Sequence, residues 1–174
     1  MGACRPDYGG GSRHTVERDL KVAILHDSRT GNGEKIAQAI AQVCRDAGAE
    51  VRVGHYSELD ATEIADFAPD FLVAGSAIRA FMLSGVSKTW LRSFSRELRR
   101  TGGTVRQGVA FVTHGLPRDT ADFWGRRFRR RVARIPGISA VDPEWHSGRV
   151  LGQEGPLEDG TIDRFRELAR RLLE

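Results

Sequence analysis

The sequence predicts an α/β domain built on a parallel sheet covered by helices on both faces. Three observations carry that expectation. Short apolar, β-prone runs alternate with helical stripes five times, the connections are short, and no repeat or second-domain boundary interrupts the series. Parallel neighbours cannot be joined by a tight turn, and their crossovers default to helices. A length of 174 residues fits one domain, at roughly 100–200 residues each.

The first 19 residues are polar and glycine-rich (Gly9-Gly10-Gly11-Ser12) and read as a disordered tail, leaving residues 20–174 as the domain. Lys21-Val-Ala-Ile-Leu-His26 is a short apolar run with the length of a buried strand. Ile36, Ile40 and Val43, with Ala37, Ala41 and Cys44 beside them, form a helical stripe that ends near Gly48. Residues 50–55 alternate as a strand and 61–67 form a short helix. Asp70-Phe-Leu-Val-Ala74 is a third strand, followed by a loop and a helix around 86–100. Gly108-Val-Ala-Phe-Val-Thr113 is a fourth, with a helix from about Thr120 to Arg134. A weaker strand is expected near Ile138–Val141 or Arg149–Leu151, and Ile162 to Leu173 closes the fold as an amphipathic helix.

Composition excludes several classes. Two cysteines, Cys4 and Cys44, cannot build a disulfide scaffold or a cysteine-cluster metal site, and five scattered histidines lack metal-ligand spacing. The apolar runs are too short for a transmembrane helix, and the N-terminal residues lack the apolar core of a signal peptide, so a cytoplasmic protein is expected. Only three of the 27 basic residues are lysine, leaving 24 arginines. The net charge of +4 is unevenly spread: residues 88–134 carry 13 basic and three acidic groups, whereas the segments on either side are each −3. Within that block Trp124, Phe128, Val132 and Ile135 recur at helical spacing among arginines, giving a basic amphipathic helix.

In a doubly wound sheet, ligands bind beyond the carboxyl ends of the strands at the topological switch point. The loop after strand one reads Ser28-Arg29-Thr30-Gly31-Asn32-Gly33 and opens directly into a helix. Hydroxyls, glycines and the unpaired N–H groups of a helix start are the parts of a phosphate cradle. The loop is not a Walker motif, because no Gly-Lys-Ser/Thr follows, and it lacks the third glycine of a dinucleotide fingerprint. It resembles the phosphate loop of the flavodoxin family, usually Ser/Thr-x-Thr-Gly-x-Thr, and departs from it at Gly33, where a hydroxyl residue is usual. The resemblance covers about residues 20–174. It implies a flavodoxin-like three-layer sandwich with a five-stranded parallel sheet of order 2-1-3-4-5, and it implies FMN as cofactor, its phosphate on Ser28–Gly33.

The same resemblance assigns the loops after strands three and four to the two sides of the isoalloxazine ring. The first, Gly75-Ser-Ala-Ile-Arg, is also similar to the Gly-Ala-Ser-Ile-Arg loop of flavodoxin-domain protoporphyrinogen oxidases. It would bring the backbone of Ser76, Ala77, Ile78 and Arg79 to the ring or ribityl chain, with Phe81 or Met82 against the ring; the plainer alternative makes both apolar side chains core residues. The second, Thr113-His114-Gly115-Leu116, would approach the pyrimidine edge. There His114 either modulates the flavin potential or is a solvent-facing loop histidine.

Three functions fit. The leading one is an FMN-binding electron-transfer flavoprotein. The second is a flavodoxin-domain oxidoreductase of the quinone-dependent protoporphyrinogen oxidase type, and the third a flavin-free binding scaffold. For the basic 88–134 surface the expected partner is an acidic redox protein, with peripheral contact to an anionic membrane as an alternative and nucleic acid disfavoured.

Overall fold

The structure, a computed structural model, describes residues 20–152 and 154–174; the expected tail, 1–19, and Cys4 lie outside the described residues. The chain order is β1 (Lys21–His26), α1 (Asn32–Asp46), β2 (Glu50–His55), α2 (Ala61–Phe67), β3 (Phe71–Arg79), β4 (Met82–Leu83), α3 (Gly85–Thr101), β5 (Val105–His114), α4 (Arg118–Ala133), β6 (Ile138–Arg149) and α5 (Thr161–Leu173). The parallel strands lie in the order β2-β1-β3-β5-β6, and the two-residue β4 folds back antiparallel on the end of β3. With β4 set aside, this is the order 2-1-3-4-5 expected from the resemblance.

Two cores separate the three layers. On one face α2, α3 and α4 bury Ile64, Trp90, Phe94, Phe128 and Val132 against the sheet. On the other, α1 and α5 bury Ile36, Ile40, Phe165 and Leu168 against Val22, Ile24, Val73 and Phe111. The stripe read from α1 is the buried one, and each large aliphatic side chain it removes from water is worth about 1.5–3 kcal/mol. Cys44 belongs to this core, where burial pushes its thiol up to about 11.

Three boundaries differ from the sequence reading, each for a physical reason. Strand β3 runs on to Arg79, because Ser76 and Ala77 pair with Val112 and Thr113 of β5, and Ile78 and Arg79 pair with β4. The expected loop Gly75–Arg79 is therefore strand, and the open turn is confined to Ala80 and Phe81. Strand β5 starts at Val105 rather than Gly108, and it runs one residue past Thr113 to take in His114. The last strand is one twelve-residue edge strand spanning the gap between the two short segments expected. Its register shifts between Gly108 and Ala110 of β5, where Asp142, Pro143 and Glu144 interrupt the apolar pattern. Proline and a bulge are tolerated at a sheet edge, and the half-exposed strand shows little hydrophobic signal.

Gly75 is the tightest point between β3 and β5: a Cβ there would meet the ring of Phe111, itself buried and packed edge-on against Phe165 at 5.5 Å. Gly75→Ala is expected to destabilise the domain by ~1–3 kcal/mol, read as a lower urea midpoint; an unchanged midpoint would refute the packing.

Candidate functional site

Strand order reverses between β1 and β3, so their carboxyl ends border the switch-point crevice. The loop after β1 enters α1 through Gly31, which adopts the left-handed conformation at φ 85° as the helix N-cap. No atom lies within 4 Å of where a Gly31 side chain would start, so the space beside this helix end is open. Arg29 and Thr30 are exposed, while Asn32 and Gly33 are buried.

The loop holds part of its own donor set. Ser28 Oγ accepts the Gly33 N–H at 3.1 Å, and the Ser28 N–H reaches His26 Nδ1 at 3.3 Å. The Asn32 amide donates to the Glu154 carbonyl at 2.9 Å and to Thr30 Oγ1 at 3.3 Å. Thr30 thus accepts through its oxygen, and among the described residues its hydroxyl donates to no acceptor. Gly155 packs on the Asn32 side chain, so the segment following β6 braces the cradle from behind. This contact was invisible in the sequence, because residues 32 and 155 meet only through the fold. The departure at Gly33 also has a local reason: a Cβ there would press on Ser28 Cβ at 3.3 Å.

Across the crevice, Arg79 folds back from the end of β3 onto β1. Its Nη2 donates to the Asp27 carbonyl, and its Nη1 lies 3.9 Å from the Asp27 carboxylate. Asp27 is only 3% exposed. The Ser87 hydroxyl donates to the Ser84 carbonyl at 3.1 Å. That leaves the Ser76 hydroxyl to Ser87 Oγ at 2.9 Å and Asp27 Oδ2 at 3.5 Å. Burial, together with the Asp27 carboxylate, pushes the Tyr56 phenol well above its usual range. Ser76 and Arg79 were expected at the site, but Asp27, Ser87 and the joining of all four into one cluster are what sequence reasoning missed. Asp27 stood directly before the cradle motif, but its partners lie 49 to 52 residues away.

The expected ring-flanking residues are placed unevenly. Ser76 and Ala77 are buried, and Ile78 packs on the α2–α4 core, so these three do not line the crevice surface. Phe81 and Met82 are 68% and 60% exposed, which overturns the core alternative for both. Ala80 and Phe81 both have positive φ, at 47° and 58°, in a region that residues with a Cβ seldom occupy. On the β5 side Thr113 is buried, and the His114 carbonyl already accepts the Val150 N–H at 2.8 Å. Only Gly115 and Leu116 remain as open loop, Gly115 exposed and Leu116 half-buried.

His114 is not a solvent-facing histidine. It is 4% exposed, its Nε2 lies 2.8 Å from Ser147 Oγ, and its ring sits 6.0 Å from that of Trp145. Burial holds its pKa below the ordinary value, against the Leu116 backbone, with Arg149 adding to the shift and Glu158 opposing it. Burial also lowers His26, helped by His55, whose ring centroid is 5.7 Å away. At neutral pH His114 therefore supplies no positive charge, whereas Arg79 does.

Both histidines are neutral when folded and free to protonate when unfolded. Between their lowered folded values and about 6.5, the unfolded chain binds more protons, so stability falls as pH drops through that window. Urea unfolding at pH 7.5 and 5.5 is expected to show lower stability at 5.5. The drop is expected to be smaller in His114→Gln and His26→Gln; variants that keep the full drop would exclude these residues as its source.

No protein-family model matches the chain, and no curated protein sequence matches it. Solved structures do. A flavodoxin from the domain Archaea superposes with a TM-score of 0.62 at 16% identity, covering 88% of this chain and 96% of that one. Two-electron reduced Megasphaera elsdenii flavodoxin gives 0.62 at 18%, covering 86% and 98%. Rubredoxin oxygen:oxidoreductase from Desulfovibrio gigas gives 0.67 at 18%; the match takes in 89% of this chain but spans only 36% of that protein's length. At these identities the likeness is one of architecture: the described residues form a flavodoxin-like fold.

Proposed function

We infer that the chain is an FMN-binding flavoprotein that transfers electrons. The observation that carries this reading is the open N-terminus of α1 at the switch point. There Gly31 is left-handed, the Thr30 hydroxyl donates to no acceptor among the described residues, and the first-turn N–H groups have no helical partner. A phosphate monoester fits that donor set, and the helix dipole favours its charge. Two donors that the flavodoxin resemblance implies are committed internally, the Asn32 amide and the Gly33 N–H, so the phosphate would rest on Thr30, Gly31 and the Asn32 N–H.

Phe81 supports the ring site. A large apolar side chain exposed on a strained turn beside the crevice is the kind of group a planar ring would cover. Leu116 and Gly115 stand at the end of the adjacent strand, on the other side. FMN when bound supplies the one- and two-electron chemistry; the chain's residues bind it, shield it and set the charge around it. Arg79 favours a negatively charged ligand in this crevice, whereas the Asp27 carboxylate is buried beside it, 3.9 Å from the Arg79 guanidinium.

Fluorescence titration of the purified chain with FMN is expected to show saturable quenching at one-to-one stoichiometry. Thr30→Glu is expected to weaken binding at least 100-fold, by placing bulk and charge in the phosphate position, with the fold unchanged by circular dichroism. Absence of binding in the wild type would exclude both flavin readings and leave the scaffold alternative. Unchanged affinity in Thr30→Glu would move the phosphate elsewhere.

A further inference from the structure

The basic block found in the sequence is not one face. Helix α4 divides it into two grooves of different character. Between α4 and β6 lies a cavity of about 910 Å³ with six arginines on its walls, but Asp122, Glu144 and Glu158 line it too. There Arg126 pairs with Asp122, and Arg149 and Arg164 pair with Glu158. Three acids against six arginines compensate half of its charge from within.

The groove between α3 and α4 is the opposite case. About 280 Å³ in volume, it is lined by Lys88, Arg92, Arg127, Arg130, Arg131 and Arg134, and among the described residues by no acidic side chain. The spacing explains the convergence: Lys88, Arg92 and Ser95 recur at i, i+4, i+7 on α3, as Arg127, Arg131 and Arg134 do along α4 and its C-cap. Both helices return from the same edge of a parallel sheet, so the two cationic rows run side by side. Leu91 and Ile135, both buried, form an apolar floor that strengthens any charge interaction above it.

Among the described residues none of these six cations is in an ion pair, and Arg131 Nε is buried without a hydrogen-bond partner. Burial lowers the Arg131 pKa, and Arg92, Arg127 and Arg134 push it in the same direction. A half-buried guanidinium whose Nε lacks a partner and which is surrounded by like charge is costly for the free protein, and an anion in the groove would relieve both costs together.

We propose that the α3–α4 groove binds a compact polyphosphate anion of the di- or triphosphate class. Arginine forks take two phosphoryl oxygens at once, and closely spaced phosphates match closely spaced cations better than the separated carboxylates of a protein surface. The volume points the same way, since it lies at the small end of small-molecule sites, typically ~300–1,000 Å³. The expectation of a single docking face for an acidic protein thereby narrows to a small-molecule site on that face. The site is separate from the α1 cradle and does not depend on flavin binding.

Calorimetric titration of the full chain with inorganic triphosphate in 0.15 M salt tests this. Saturable one-to-one binding is expected, weakened at least tenfold in Arg127→Gln and in Arg131→Gln. It is expected to be unchanged in Arg126→Gln, on the half-compensated groove, and in Thr30→Glu, at the α1 cradle. Should half-buried Arg131→Gln fail to fold, exposed Arg92→Gln replaces it. No saturable binding overturns the proposal, as does equal weakening by Arg126→Gln, which would mean diffuse charge. Loss in Thr30→Glu would place the anion at the cradle and overturn it too. So would displacement by phosphatidylcholine–phosphatidylglycerol vesicles at equal phosphate, which would assign the groove to a membrane surface.

Discussion

Strands β1, β3 and β5 are covered on both faces by packed helices, and this constraint organises everything else in the domain. A strand buried on both sides offers no polar surface along its length, so chemistry is confined to the strand ends and the turns that leave them. The carboxyl ends of β1 and β3 meet where the winding reverses. The polar residues placed there, Asp27, Ser76, Arg79 and Ser87, interact across the gap rather than with solvent alone. Arg79 is the pivot of that arrangement. It satisfies the Asp27 carbonyl and partly offsets the Asp27 carboxylate, a group too deeply buried to remain unaccompanied.

The same confinement explains why the crevice is braced from a distance. The α1 cradle contains two glycines and little packing of its own, and a loop so built has conformational freedom to lose. The contacts that limit it come from the far edge of the sheet, where the Glu154 carbonyl accepts from Asn32 and Gly155 rests on its side chain. The edge strand β6 and the residue that follows it also fix His114, through Ser147 on the side chain and Val150 on the carbonyl. An edge strand with weak apolar signal thus positions groups on both sides of the crevice.

Charge follows a comparable division of labour. A net +4 conceals a strongly basic middle segment, and the fold then splits that segment between two sides of one helix. On one side the acids of β6, the following turn and α4 itself answer the arginines. On the other side α3 brings further cations to the groove, and its one acid, Glu97, pairs with Arg100 away from it. The distribution therefore depends on which element packs beside α4, which composition cannot reveal.

Much of the domain was legible in the sequence alone. Helix and strand periods, the short connections and the glycine loop before α1 are local patterns, and local patterns survive into the fold because each element must bury its own apolar stripe. Hence the alternation, the α1 face and the position of the Ser28–Gly33 loop after strand one were foreseeable, while the sheet order came from the resemblance to the flavodoxin family. Tertiary structure decided what depends on pairing between distant segments. It extended β3 through Arg79 by giving it β4 and β5 as partners, and turned Phe81 and Met82 outward. It also buried His114 in its neutral form, joined Asp27 to Arg79 and left the α3–α4 cations without a counter-charge. These outcomes rest on burial and on hydrogen bonds across tens of residues, and a residue's own neighbours in the chain carry no record of either.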